Sequence, residues 1–271
     1  MDAKTDQNTP QDTGMTYAEY LSLDKILSAQ TQLSDTHDEM LFLIIHQTAE
    51  LWMKQILHEV TLAQSFIQAD TPGAAHKPLS RVSRIQTIMT LAWDVLSTMT
   101  PTDYLTFRDQ LGTSSGFQSF QFRELEYRLG LKNPKYLAPH AGDVRAHLET
   151  VLAAPSVYDE TLMAMRRAGF DIPEAVASRD WAEPYTPSEA IEAVWLEVYR
   201  HPEKHWEYYQ LGEKLMDLED AFITWRFKHL TTVERIIGHK MGTGGSAGVG
   251  YLQGTLSKRC FPELWSIRTQ L

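Results

Sequence analysis

Residues 36–71, THDEMLFLIIHQTAELWMKQILHEVTLAQSFIQADT, decide the fold class. Leu41 to Ile45 is an unbroken apolar run, and by periodicity alone it could be a buried strand. Its setting argues for a helix. Thr36-His37-Asp38-Glu39 has the T-x-x-E form of a capping box, which predicts a helix start at Thr36. No Gly or Pro follows until Pro72, so the helical pattern meets no breaker over a window far longer than a strand. Apolar residues crowd both sides of this helix near its start, which makes it central. His46 falls on it, with Phe42 one turn before and Glu50 one turn after on the same face. A histidine so placed is more often a hydrogen-bonded core residue than a catalyst.

Working outward, residues 1–14 carry no large apolar side chain except the initiator and predict a disordered tail. Tyr17-Ala18-Glu19-Tyr20-Leu21 follows as a short amphipathic segment. Beyond Pro72, the apolar positions Val82, Ile85, Met89, Ala92, Leu96 and Met99 recur at spacings of three and four, a helix-bundle seam over Ser80–Met99 with Trp93 beside it. Thr100-Pro101-Thr102-Asp103 starts another helix, which carries Tyr104 and Arg108 on one face. Leu111 to Gly116 ends it in a polar loop. Helices are predicted over Phe117–Leu129, Val144–Leu152 and Tyr158–Ala168, with a turn at Pro134–Pro139. Thr186-Pro187-Ser188-Glu189 combines a capping box with a first-turn proline. Pro202 opens the last long helix, running to about Ile237, with Gly238 at the cap position. Along that helix Leu218, Phe222, Trp225, His229, Val233 and Ile236 follow 3.6-residue spacing, so His229 belongs to the apolar stripe. A glycine-rich loop, Gly242 to Gly250, comes next, and Pro262, Leu264 and Trp265 dock the C-terminal tail. No strand pair, repeat or linker is evident. The expected architecture is all-α: one domain over residues 15–271, a bundle of long helices.

Composition narrows the function classes. A formal charge of −10 repels phosphate backbones, which argues against nucleic acid as a partner. No apolar run reaches the ~20 residues of a membrane span, and no signal-peptide core opens the chain, so a soluble, cytoplasmic protein is expected. One cysteine, Cys260, excludes an intrachain disulfide and a cysteine zinc cluster. With ten histidines beside it, imidazole is the expected ligand for any metal.

The loop Gly242-Thr243-Gly244-Gly245-Ser246-Ala247 satisfies a loose G-x-G-x-x-A pattern. A helix rather than a strand precedes it, so the dinucleotide reading fails, and no Lys-Ser/Thr follows to make a phosphate loop. What remains is a loop offering backbone N–H groups and the Thr243 hydroxyl, suited to a small zwitterion or to plain surface. His201 and His205 stand one turn apart, a spacing able to hold a metal. Without an H-E-x-x-H or repeated E-x-x-H context they read as surface histidines.

Five stretches nevertheless match a known pattern: TYAEYLSLDKILSAQ (16–30), HDEMLFLIIHQTAELWMKQILHE (37–59), PTDYLTFRDQLGTSSGFQSFQFR (101–123), WRFKHLTTVERIIGHKMGTGGSAGVGYL (225–252) and FPELWSIRT (261–269). Together they closely resemble the tryptophan 2,3-dioxygenase family, from about residue 16 to the C-terminus. The likeness is weakest at about 153–200, which reads as a helical insertion. The resemblance implies an all-helical fold with a buried haem pocket and one haem b per subunit. It also implies cleavage of the C2–C3 bond of the L-tryptophan indole by O2, giving N-formyl-L-kynurenine.

The resemblance further implies roles by position. His229 is the iron ligand, and His46 holds the indole N–H. Phe42, Leu43, Ile44 and Ile45 with Leu111 form the substrate wall. Arg108 grips the carboxylate with Tyr104 beside it, and Thr243 reaches the amino-acid end. Trp93, Ser115 and Gly116 lie against the haem. Finally, it implies a homotetramer in which Tyr17, Tyr20 and Leu21 enter a neighbouring subunit's site. Phe122 stands where some relatives carry tyrosine, and the loop reads GSAGV where GSSGV is common.

Overall fold

The computed structural model describes residues 14–245 and 247–271. The expected disordered tail therefore lies, apart from Gly14, outside the described residues. Thirteen α-helices are present among them. Short α1 (Tyr17–Leu21) and α2 (Leu23–Ile26) precede the long α3 (His37–Gln68) and α4 (Pro72–Leu96). Next come α5 (Pro101–Phe107), α6 (Phe120–Arg128), α7 (Gly142–Ala153) and α8 (Val157–Arg167). The chain finishes with α9 (Glu174–Ala177), α10 (Glu189–Arg200), α11 (Trp206–Ile237), α12 (Val249–Thr255) and α13 (Pro262–Ser266). No strand occurs among the described residues, so the all-α expectation holds.

Helices α3 and α11 have 32 residues each, about 48 Å at 1.5 Å per residue. Helix α4 packs along both, so these three form the frame. Buried Ile56, Val60, Ala63 and Ile67 of α3 meet Leu79, Val82, Ile85 and Met89 of α4 and Leu211, Leu215 and Leu218 of α11 in one core. The segment 153–200 is built into that core, since Tyr158 and Leu162 of α8 and Trp195 of α10 are fully buried there. A smaller cluster lies at one end of the frame: Trp93, Leu96, Met99, Tyr104, Phe107 and Ile236, with Phe42, Ile45 and Trp225 against it.

The capping of α3 differs from the sequence reading, and so do the starts of α4, α10 and the last long helix. Thr36 is the N-cap of α3, yet its side chain caps nothing. The buried Glu39 carboxylate accepts instead from the Leu33 and Ser34 amides at 2.7 and 2.8 Å and from the Ser34 hydroxyl, so donors in the preceding loop displace the capping box. Helix α4 starts at Pro72 rather than Ser80 and carries Pro78 inside it; burial of Ala75, Pro78 and Leu79 offsets the missing proline N–H. At α10 the N-cap is Ser188, without a side-chain bond, because its amide is drawn to Glu263 at 2.9 Å. The last long helix begins at Trp206, not Pro202. Residues 201–205 fold into a tight turn around the Glu197 carboxylate, which faces His201, Lys204 and His205.

The C-terminal tail is fastened by a buried carboxylate. Glu219 on α11 accepts from the amides of Cys260 and Phe261 and from the Trp265 indole. Removing the acceptor leaves two buried amides and the half-buried Trp265 indole unpaired, and charge-assisted bonds are the strong ones. Glu219→Ala should therefore lower unfolding free energy by about 3–5 kcal/mol, read as a fall in urea midpoint at constant slope. A loss below ~1 kcal/mol would show that the tail contributes little to the bundle.

Candidate functional site

The smaller cluster borders a cavity of about 240 Å³. Helix α3 brings His46, α4 brings Trp93, α5 brings Tyr104 and α11 brings Trp225, His229 and Val233. Ser115 and Gly116 close one side, and Gly242, Thr243 and Gly248 lie across the mouth. A wider cleft of about 530 Å³, lined by Gln32–Thr36, Thr106 and Gln110, holds no imidazole and no aromatic ring. The smaller cavity is the one that gathers two histidines, His46 and His229, among aromatic rings.

Helical periodicity selects which residues of 42–46 face inward. His46 lines the cavity and Phe42 packs on it with ring centroids 4.2 Å apart. Phe42 also touches Tyr104 and Phe107. Ile45 packs with Trp93 in the small cluster. Ile44 is 42% exposed on the outer side of α3, and neither Leu43 nor Phe42 is itself among the lining residues, Phe42 acting from behind His46. A wall of consecutive residues cannot face one cavity from a helix, since each step turns the chain by about 100°.

The state of His46 follows from one hydrogen bond. Its Nδ1 lies 2.7 Å from the Phe42 carbonyl, which can only accept, so Nδ1 carries the proton and Nε2 is left as a bare acceptor. Burial lowers the His46 pKa, against the raising effects of that carbonyl and of Glu50. For His229, burial followed by repulsion from His46 brings the pKa down to about 4. Both imidazoles are therefore neutral near pH 7. Trp93 stacks on the His229 ring at 4.5 Å and 9°, and its edge meets His46 at 6.4 Å, so one indole separates the two histidines. Among the described residues, none hydrogen-bonds the His229 ring. The Trp93 Nε1 is buried without a partner.

Arg108 is not among the lining residues but holds the loop that lies across the cavity. It opens a 3-10 turn, Arg108–Leu111, directly after α5. Its Nη2 donates to the Met241 carbonyl at 2.6 Å, and its Nε is buried and unpartnered. Burial raises the Tyr104 pKa, partly offset by Arg108, which keeps the phenol protonated. Thr243 donates its hydroxyl to the Ser114 carbonyl at 2.5 Å. Leu111 packs against the small cluster. Tyr17, Tyr20 and Leu21 do not line this cavity; the two tyrosines are each 75% exposed on α1. His201 and His205 lie away from it beside Glu197, and no metal-holding group of His, Cys, Asp and Glu occurs among the described residues.

Of the far wall the sequence reading reached only Phe122, whose ring lies 5.4 Å from Trp225. Buried Glu126 on α6 takes Arg123 Nη1 at 2.5 Å and Arg226 Nη2 at 3.1 Å. Arg226 stands one turn before His229, so this pair locks the histidine-bearing turn of α11 to α6. Charges beside Trp225 read as a solvated helix face, and only the α6–α11 pairing reveals them as internal.

The chain is similar to known proteins along nearly its whole length. The family model described as "Tryptophan 2,3-dioxygenase" matches residues 1–150 and 143–271. The protein of that name from Caulobacter vibrioides is 59% identical over 259 residues, covering 95% of this chain and 98% of its own. Those from Bacillus thuringiensis subsp. konkukian and Polaromonas sp. are each 54% identical over 95% of this chain, covering 93% and 88% of theirs. Matches of this extent span every element that lines the cavity, and the chain belongs to the tryptophan 2,3-dioxygenase family.

Proposed function

We propose that the protein is a haem-dependent dioxygenase that opens the indole ring of L-tryptophan at C2–C3 with O2, yielding N-formyl-L-kynurenine, the first step of tryptophan degradation. The observation that carries this reading is the pair of neutral imidazoles, His46 and His229, brought to one aromatic cavity by two long helices. The donor set suits haem b. His229 lines the cavity, is neutral and has a ring nitrogen that no protein group occupies, so it could hold the haem iron. The unpartnered Nε1 of Trp93 supplies a donor in the same wall. An enclosed 240 Å³ holds less than a whole porphyrin, so the fit rests on these donors and on the open mouth beneath the loop. Bound haem supplies iron through which triplet O2 can react with a closed-shell ring.

The other side chains bind and orient. The bare Nε2 of His46 accepts from the indole N–H and fixes the ring. Phe42 and Leu111 provide its apolar wall. Arg108, with its planar fork, takes the substrate carboxylate beside the protonated Tyr104. Thr243 meets the amino-acid end, and Ser115, Gly116 and Trp93 lie against the haem. Exposed Tyr17, Tyr20 and Leu27 on the N-terminal segment, with Trp52, Ile88 and Leu91 on α3 and α4, support a homotetramer whose N-terminal segments enter neighbouring sites. No helix of the described residues is long and apolar enough to cross a membrane, and the cytoplasm is the proposed compartment.

The test is a visible spectrum of the purified protein with and without L-tryptophan, followed by an N-formylkynurenine assay in air with a reductant. A Soret band that shifts on adding tryptophan, with product formed, is expected. A colourless protein that haem does not reconstitute would overturn the reading. A haem protein that forms no product would be a sensor on the same scaffold.

A further inference from the structure

Three contacts join the glycine loop to the segment Arg108–Gly116: Arg108 to the Met241 carbonyl, Thr243 to the Ser114 carbonyl, and Gly244 seated directly on Ser115. The last has no clearance. A Cβ at position 244 would stand 2.7 Å from the Ser115 Cβ and 2.8 Å from its Oγ, where carbon atoms pack no closer than about 3.5 Å. Ser115 is not free to step aside. Its hydroxyl accepts from the Phe117 amide at 3.3 Å, capping the 3-10 turn Gly116–Gln118. The base of the loop is pinched as well: Gly248 has φ +56°, and a Cβ there would lie 2.6 Å from the Lys240 carbonyl.

We infer that Gly244 is a positioning residue: its missing side chain seats the loop on Ser115, and that seat holds the Thr243 hydroxyl and the Met241 carbonyl in register with Arg108 over the cavity mouth. The consequence for catalysis rests on the tryptophan reading above, whereas the seat itself does not. A side chain at 244 lifts the loop, withdrawing Thr243 and releasing Arg108 together. Substrate positioning then weakens, while His46 and His229, carried on their helices, stay in place.

The test uses full-length, haem-loaded protein carrying Gly244→Ala, Ser115→Gly, or both. Trypsin cleavage after exposed Lys240, scored by the mass of the 241–271 fragment without tryptophan, reads the population of the lifted loop. Gly244→Ala should speed this cut about tenfold in the otherwise native chain and leave it unchanged in the Ser115→Gly background. No acceleration, or equal acceleration in both backgrounds, would overturn the seat, the latter by assigning the effect to the chain at 244 rather than to the contact. Should Gly244→Ala fail to fold, Ser115→Val crowds the same contact from the other side and must speed the cut likewise. In turnover, Gly244→Ala should raise KM for L-tryptophan about tenfold, with kcat moving less than about threefold. Faster cleavage with unchanged KM keeps the seat but removes the loop from the tryptophan site, a failure of the functional reading alone.

Discussion

Purified His229→Ala protein is expected to keep its helical circular dichroism and to lose its Soret band. Removing a residue that merely supports a ligand typically lowers metal affinity about 10- to 100-fold, so removing the ligand itself should exceed that and leave no haem after desalting. Helical structure should survive, because His229 faces a cavity and makes no hydrogen bond that the fold depends on; its packing partners Trp93 and Trp225 stay in contact with each other at 5.8 Å. Added imidazole should restore the band by filling the vacated position. The measurement is haem per chain by pyridine haemochrome. Stoichiometric haem in the variant would pass the ligand role to His46, the other histidine lining the cavity.

Arg108→Ala is expected to raise KM for L-tryptophan about 10- to 150-fold while haem content stays at the native value, since a charge-assisted contact is worth roughly 1.5–3 kcal/mol. Arg108→Lys should fall between the two, keeping the charge and losing the fork. Because Arg108 also holds the Met241 carbonyl, the alanine variant loosens the loop as well. Trypsin cleavage after Lys240 measures that part separately. An unchanged KM would take Arg108 out of the carboxylate site.

Much of this was legible in the sequence. The breaker-free window after Thr36 and the 3.6-residue stripe of 218–236 give α3 and α11, because amphipathic periodicity is local information. The capping at Glu39 and the boundaries at Pro72, Ser188 and Trp206 were not: donors just upstream take the Glu39 carboxylate, burial outweighs the breaker at Pro72, distant Glu263 draws the Ser188 amide, and the turn before Trp206 closes on Glu197. For the site, periodicity put His46 and His229 on apolar faces but could not say that the two faces oppose each other across Trp93. Resemblance to a family supplied that pairing as an expectation, and α4 packed against both helices brings it about. The same periodicity, applied more strictly, separates Phe42 and His46 from Ile44. The Glu126 pair and the Gly244 seat have no sequence signature, because neither backbone proximity nor a shared buried carboxylate leaves a repeat to read.

The walls of the cavity are drawn from residues as far apart as His46 and Thr255, and the helix carrying His229 is fastened by Glu219 to Cys260, Phe261 and Trp265 near the end of the chain. Contacts between α3 and α4 are close in sequence and can form early, whereas α11 must close a loop of more than 100 residues to reach them. A growing chain on the ribosome therefore has no pocket to offer. With haem as the proposed cofactor, loading would follow synthesis, and a truncation that removes the last dozen residues should be felt first as a failure to retain haem, before the helices themselves are lost.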